Sequence, residues 1–357
     1  MHILIIGGGI GGLCLAQGLK QAGISSTVHD CSPTLREQGW RLSIKEEGVE
    51  ALRACLPAAL FDRCQANAIR PATRLAFMDH LLVPRLTRPI PPTSGGFGIN
   101  RLILREMLLT GLDVRFGAPC TGFTGATAHF ADGTSASGDL IVGADGTNSA
   151  VRAQLLPEAA MEELGRCLYG VTPFSTLDWV PDLLVDTFNR MTHPSGAHMA
   201  VATCRPGDYF TWTLSGPRPD SRTPSEPRGD PHQVARDLVA DWHPALRRIV
   251  ADATTIFPVR LRSALPVEPW DDPHVTLLGD AVHTMTPGRG EGATIALRDA
   301  LLLTSTLSDV AAGQVPLAAA KSRYEQEMLR YGFAAVHTSR HSPFGPKRPD
   351  PHATTPP

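Results

Sequence analysis

The chain opens with MHILIIGGGIGGLCLAQGLKQAGISSTVHD, Met1 to Asp30, and this stretch decides the fold. A short apolar run (Ile3, Leu4, Ile5, Ile6) meets a glycine cluster, Gly7-x-Gly9-x-x-Gly12, and then apolar residues at helical spacing (Leu13, Leu15, Ala16, Leu19). The pattern predicts a strand that turns sharply into a helix. The first glycine permits the tight turn, the second lets a pyrophosphate approach the backbone, and the third lets the helix pack on the strand. Ile10 and Gly11 complete the turn, and the helix start offers unpaired N–H groups to phosphates. A second strand over Ser26 to His29 ends at Asp30, 23 residues after Gly7. That is close to the roughly 20 expected of the acid that accepts hydrogen bonds from an adenosine ribose. On its own the stretch fits NAD and FAD equally.

At 357 residues the chain predicts two domains with a substantial core. Lys plus Arg number 33 and Asp plus Glu 35, a net charge of -2, which gives no general attraction to nucleic acid or acidic membranes. The seven cysteines (14, 31, 55, 64, 120, 167, 204) are odd in number and contain no C-x-x-C pair, so packed, reduced thiols and a cytoplasmic setting are expected. Residues 1–19 are apolar enough to resemble a signal peptide, yet six glycines interrupt them and no basic segment leads, so buried strand and helix are expected instead. No other stretch approaches the roughly 18 apolar residues of a membrane span. Pro343 to Pro357 holds six prolines and almost no large apolar residue, and disorder is expected there.

Further along, Arg36 and Arg41 follow the nucleotide unit and are candidates for phosphate or flavin contact. They lead into a strand over Leu42 to Ile44 and a helix over Glu47 to Leu52, whereas residues 53–96 show no clear period. Ile99 to Leu109 regains helical spacing, with Arg101 at the helix start. A cation there opposes the helix dipole, which points to a bound anion. Strands are expected over 113–117, 122–130 and 136–142, the last running into Gly143-Ala144-Asp145-Gly146 and a new helix, which places Asp145 at a strand's carboxyl end. From about 158 to 270 strands recur at 168–174, 183–188, 198–204 and 208–215. The last of these alternates Phe210, Trp212 and Leu214 against Tyr209, Thr211 and Thr213, and one amphipathic helix is expected over 232–250. Trp212 is a candidate for a substrate pocket. A third strand, Val275 to Leu278, ends at Gly279-Asp280. A proline and a glycine-rich loop, Pro287 to Gly292, then open a helix to about Leu307, with Gly290, Gly292, Ala293 and Thr294 presenting backbone N–H groups.

In this order and at these separations the four motifs (GGGIGG with Asp30, NR..LR at 101, GADG..S.VR at 143 and GDA.H…P..GEG at 279) make the chain resemble the class A flavoprotein monooxygenases, the family of para-hydroxybenzoate hydroxylase. The resemblance spans nearly the whole chain. It implies an α/β chain with a Rossmann-like FAD-binding domain (residues 1–157 and 271–312), an inserted antiparallel-sheet substrate domain (158–270, with some strands from 53–100), a C-terminal helix (313–342) and the tail. It further implies FAD, with Asp30 at the ribose, Gly9 to Gly12 at the pyrophosphate, Arg36, Arg41 and Arg101 near the phosphates or flavin, Asp145 and Asp280 along the cofactor, and Gly290 to Thr294 at the flavin ring. Pro287 matches the proline beside the flavin face and is the candidate pocket wall. At Thr294 many members have Asn; Thr is expected to keep a capping hydroxyl.

The implied activity takes NADH or NADPH and O2 and hydroxylates or epoxidises a medium-sized aromatic or polyketide-like small molecule through a flavin C4a-hydroperoxide. No second glycine-rich fold is visible for a resident nicotinamide, no general acid or base stands out, and a monomer or homodimer is expected. The same fold also leaves open Baeyer–Villiger-type oxidation, halogenation and a non-redox cyclisation, although no W-x-W-x-I-P motif supports a halogenase. A non-catalytic binder resembling the Rab GDP-dissociation inhibitors is a further reading, which Asp30, Arg101 and Asp280 together argue against. No metal is expected: His337 and His341 share a helical face, and His193 and His198 lie in the second domain, but neither pair has an evident third ligand in sequence. His283 is expected to be structural.

Overall fold

The computed structural model describes residues 1–35, 41–90, 95–216 and 229–341. Arg36 and residues 343–357 therefore lie outside the described residues. The chain forms two compact units: Met1–Ala66, Arg101–Glu162 and Arg262–Pro357 make the first, Asn67–Asn100 and Glu163–Leu261 the second. The second unit, expected over 158–270 with some strands from 53–100, spans 163–261 together with 67–100, and the last helix, Leu317–His341, belongs to the first unit.

The first unit is a Rossmann-like α/β fold. Its parallel sheet runs in the order Val275–Leu277, Leu140–Gly143, His2–Ile6, Ser25–Asp30, Val114–Phe116. Ile3, Leu4, Ile5, Leu140, Ile141 and Val142 are fully buried, as continuous apolar strands of a parallel sheet must be. Each contributes about 2 kcal/mol of transfer free energy. The helix Ile10–Gln21 is buried from Ile10 to Leu19, because it lies between the sheet and the helix Gly292–Ala311. A Cβ on Gly11 would come within 2.4 Å of Leu278, and one on Gly18 within 2.4 Å of Thr304. This double burial explains why residues 1–19 read so apolar. On the last helix, Tyr324 is fully buried and donates to the Leu277 carbonyl at 2.9 Å, tying that helix to the end of an edge strand. The single strand expected over 122–130 is a hairpin, Cys120–Thr124 and Thr127–Phe130, turned at Gly125, whose φ is +55°. All seven cysteines are free thiols. Among the described residues no helix is long and apolar enough to cross a membrane.

The second unit is built on a seven-stranded sheet in the order Thr255–Ala264, Met161–Pro173, Tyr209–Ser215, His198–Cys204, Thr187–Thr192, Arg74–Asp79, Pro84–Pro89. The last two strands come from the stretch whose period was unreadable. Asp182–Leu184, expected to begin a strand, forms a short 3-10 turn, and the strand starts at Thr187. Phe210, Trp212 and Leu214 all enter the core, as the alternation predicts. The helix expected over 232–250 is two, Pro231–Leu238 and Pro244–Ala251. Pro244 has no N–H to continue a helix but suits a first turn, and His243 caps that turn by accepting from Ala245 N at 3.1 Å. The apolar face survives the break: Ala235, Val239, Trp242, Leu246 and Ile249 all enter the core.

Candidate cofactor site

The opening turn needs its glycines. Gly7 has φ +115°, and a Cβ there would lie 2.2 Å from the Ala144 carbonyl; one on Gly12 would lie 2.2 Å from the Gly7 carbonyl. Over Gly9, the nearest atom to such a Cβ is 3.9 Å away. No side chain caps the helix there, so no capping side chain takes the first-turn N–H groups, a fit for a pyrophosphate. Asp30 fixes the turn from the neighbouring strand. Its Oδ2 accepts from Gly8 N and its Oδ1 from Ser32 N, both at 2.8 Å. Each oxygen keeps a lone pair for a ribose hydroxyl. Arg105, buried at 5% exposure, donates from Nε and Nη2 to the Gly8 carbonyl at 3.0 and 2.7 Å and lies 3.8 Å from Asp30. Sequence reading placed no role on this residue, although its spacing of four from Arg101 puts the two on one helical face.

Three further positions stand at adjacent strand ends. The strand register pairs Ile6 with His29 on one side and with Gly143 on the other, and Gly143 with Leu277. The Gly7 turn, Asp30, Asp145 and Asp280 therefore emerge from one edge of the sheet. Ser149 caps the helix Ala150–Leu155, accepting from Arg152 N at 2.8 Å, and Asp145 Oδ2 accepts from Ala150 N at 2.8 Å, while Asp145 Oδ1 is buried without a hydrogen-bond partner. Burial pushes its pKa up, against the hydrogen bonds it accepts. Asp280 is ringed by protein yet its side chain is solvent-accessible. Burial raises its pKa, opposed by the charges of His283 and Arg101. Arg101 is half-buried at the start of Arg101–Leu109; burial and Arg105 lower its pKa, and Asp280 and Asp30 act against that shift. One guanidinium thus lies in the field of acids 250 residues apart in sequence.

Behind Asp280 lies a buried network. Gly279, at φ +65°, donates its N–H to Asp299 Oδ2 at 2.8 Å. The same oxygen meets His283 Nε2 at 2.7 Å, and Tyr331 donates to Asp299 Oδ1 at 2.6 Å. Burial lowers the His283 pKa, but the Asp299 charge and hydrogen bond outweigh it and the net shift is upward. Asp299 and Tyr331 carried no sequence signal, because their partners lie on separate elements.

The glycine-rich loop closes the site. Pro287 is exposed on a short 3-10 turn, Gly290 is left-handed at φ +61°, and Ala293 is half-buried. A Cβ on Gly292 would lie 4.0 Å from Asp280 Oδ1, so the loop stands beside that acid. Glu291, buried, pairs with Lys45 and with Arg289 at 3.2 Å. Thr294 differs from expectation. Its hydroxyl accepts from Lys45 N at 3.0 Å, tying the segment after Arg41–Ile44 to the helix, and Glu291 occupies the cap position. Arg41 is half-buried with Nε unpartnered. Trp212, considered for a substrate pocket, is a core residue at 1% exposure; its indole N–H donates to Thr172 at 3.0 Å. An open turn over Gly9, an orphaned Asp145 oxygen and a solvent-reached Asp280 fit an extended dinucleotide.

A family model described as an FAD binding domain matches residues 1–339. A dual O-methyltransferase/FAD-dependent monooxygenase of Phaeosphaeria nodorum is 31% identical over 87% of this chain, which spans only 41% of that protein. A 3-amino-4-hydroxybenzoate 2-monooxygenase of Streptomyces platensis is 29% identical, covering 92% of this chain and 84% of its own. The crystal structure of a candidate FAD-containing monooxygenase from Photorhabdus luminescens superposes with a TM-score of 0.84 at 30% identity, covering 96% of this chain and 97% of that one.

Proposed function

The chain belongs to the FAD-binding domain family of class A flavoprotein monooxygenases, and from that premise we propose that it uses FAD with NADH or NADPH and O2 to place one oxygen atom on a medium-sized aromatic or polyketide-like small molecule. The observation that carries the proposal is the convergence of the Gly7 turn, Asp30, Asp145 and Asp280 at one edge of a single parallel sheet. Open α/β sheets bind their ligands at such strand ends.

When bound, FAD supplies the redox chemistry, taking reducing equivalents from the nicotinamide and activating oxygen. The chain's own residues bind and orient. The uncapped helix start at Gly9 and the Arg101 guanidinium offer positive character to the pyrophosphate. Asp30 and Asp280 offer carboxylate oxygens to hydroxyl groups, and Arg105 keeps Asp30 and the Gly8 carbonyl in place. The Gly292 to Thr294 backbone, free of a capping side chain, presents N–H groups where negative charge develops. Pro287 supplies an apolar wall. We assign substrate contacts to the second unit, where Tyr209, Thr211 and Thr213 form the half-buried face opposite the core residues of their strand.

The test is NAD(P)H oxidation by FAD-loaded protein over a panel of phenols and fused-ring phenolics, with and without oxygen. A substrate that accelerates consumption and leaves a product with one added oxygen supports the proposal. Ring expansion by ester insertion, halide incorporation or rearrangement without NAD(P)H use would each replace it with another reaction on the same fold.

A further inference from the structure

We propose that the second unit carries a binding site for a zinc-class divalent cation, formed by His80, His193 and Asp241. Each offers one ligand atom, and all three atoms lie within 4.8 Å of one another. Tetrahedral zinc with donors at about 2.0–2.1 Å sets them roughly 3.3 Å apart. His193 Nε2 and Asp241 Oδ2 are already 3.0 Å apart, so side-chain rotation closes the remainder. Two imidazoles and a carboxylate suit zinc and, among first-row ions, Co2+, Ni2+ and Cu2+.

The three ligands come from three separate turns whose backbones are fixed. His80 sits in the turn joining Arg74–Asp79 to Pro84–Pro89, where Asp79 Oδ1 accepts from Leu81 N at 2.9 Å and Val83 N at 3.0 Å. His193 begins the tight turn into His198–Cys204, with His193 N donating to the Ala197 carbonyl at 2.8 Å. Asp241 lies in the connection created where Pro244 breaks the helix. That connection is tied to the first turn, because His243 N donates to the His80 carbonyl at 2.9 Å.

One further observation favours a ligand over satisfied surface histidines. The Nδ1 of His80 is buried with no hydrogen-bond partner, a state that native structures rarely leave unexplained. His193 is fixed in orientation: its Nδ1 accepts from Ser195 N at 3.1 Å and meets Ser195 Oγ at 2.7 Å, which leaves Nε2 to face Asp241. The rings are also held in position, His193 stacking on Trp242 at 6.0 Å and 14° and meeting His80 edge-on at 4.4 Å. The side chains of His193 and Asp241 remain 20% and 68% exposed, so an ion reaches them from solvent. Bound there, the cation staples two hairpin turns to the helix connection and stabilises the second unit.

The test is isothermal titration of the FAD-loaded full chain with Zn2+ alone, with Tm followed in parallel. One equivalent should bind with micromolar or tighter affinity, and Tm should rise by about 5 °C at zinc a hundredfold above Kd. His80→Gln and Asp241→Asn should each weaken binding by at least about tenfold. His337→Gln, which removes the other histidine pair, should leave it unchanged. Should either variant fold poorly, Co2+ absorption of the wild-type chain substitutes, with tetrahedral d–d bands expected. The proposal is overturned if no equivalent binds at about 100 µM free zinc, if binding survives both ligand variants, if only His337→Gln removes it, or if Co2+ gives only an octahedral aquo spectrum.

Discussion

Asp299→Ala removes the acceptor shared by three buried donors: Gly279 N at 2.8 Å, His283 Nε2 at 2.7 Å and the Tyr331 hydroxyl at 2.6 Å. Asp299 and His283 are both fully buried, so no water replaces the lost carboxylate. Breaking a buried pair from one side costs about 3–5 kcal/mol, and each freed donor adds about 1 kcal/mol. Neutralisation of His283 offsets part of this, leaving a loss of about 4 kcal/mol. Asp299→Asn is the informative contrast. Its amide oxygen can still accept from Gly279 and His283 while its NH2 donates to the Tyr331 oxygen, so only the charge is lost, at about 1–2 kcal/mol. The pH dependence follows from the raised His283 pKa. A histidine raised by folding contributes stability that is fully present below its ordinary value near 6.5 and is lost as pH climbs through the folded value. The gap between wild type and Asp299→Asn should therefore be widest below His283's ordinary value near 6.5 and narrow as pH climbs through the raised folded value. Urea unfolding at fixed FAD concentration, followed by circular dichroism and flavin release, measures all three proteins. A loss under about 1 kcal/mol for Asp299→Ala, or a gap that widens at alkaline pH, would refute the reasoning.

Gly7→Ala should destabilise the first unit by about 3 kcal/mol or abolish soluble expression, because φ +115° is strained for any L side chain and the Cβ meets the Ala144 carbonyl at 2.2 Å. Urea midpoints measure it, and a shift of under about 1 kcal/mol would remove the close approach from the account. Asp280→Ala should keep the fold, since the Asp280 side chain is solvent-accessible, but weaken FAD retention by at least about tenfold, read as flavin content after gel filtration. Unchanged content would take Asp280 out of the cofactor site. Trp212→Phe should cost about 2 kcal/mol through the cavity and the lost hydrogen bond to Thr172 while leaving FAD content unchanged; a change in substrate KM with no loss of stability would return Trp212 to the substrate pocket.

The fold was readable wherever a local constraint admits few residue types. Gly7 and Gly12 are required by backbone contacts of 2.2 Å, and Asp145 and Asp280 announce themselves as acids that stop apolar runs. The unreadable parts depend on distant partners. Arg105 binds a carbonyl 97 residues upstream, and Tyr331 reaches Asp299 across 32 residues from a different helix, so neither partner can be read from the local pattern. Thr294 looked like a cap because its neighbours form a helix start, but its hydroxyl serves Lys45. The break at Pro244 was hidden by apolar spacing that continues through it, since Val239 and Trp242 in the connection stay in the core along with Ala235 before it and Leu246 after it. The strands at 74–79 and 84–89 pair chiefly with one another and with Thr187–Thr192. Pro84 to Pro89 is exposed throughout, which erased the alternation that marks a half-buried strand.

The most direct measurement of the central claim is mass spectrometry of the product formed by FAD-loaded protein, NAD(P)H and an accelerating phenolic substrate under isotopically labelled O2. The account predicts one labelled oxygen atom in the organic product for each NAD(P)H consumed in coupled turnover. Product that carries its new oxygen from water, or NAD(P)H consumption that yields only peroxide with every substrate tried, would contradict it.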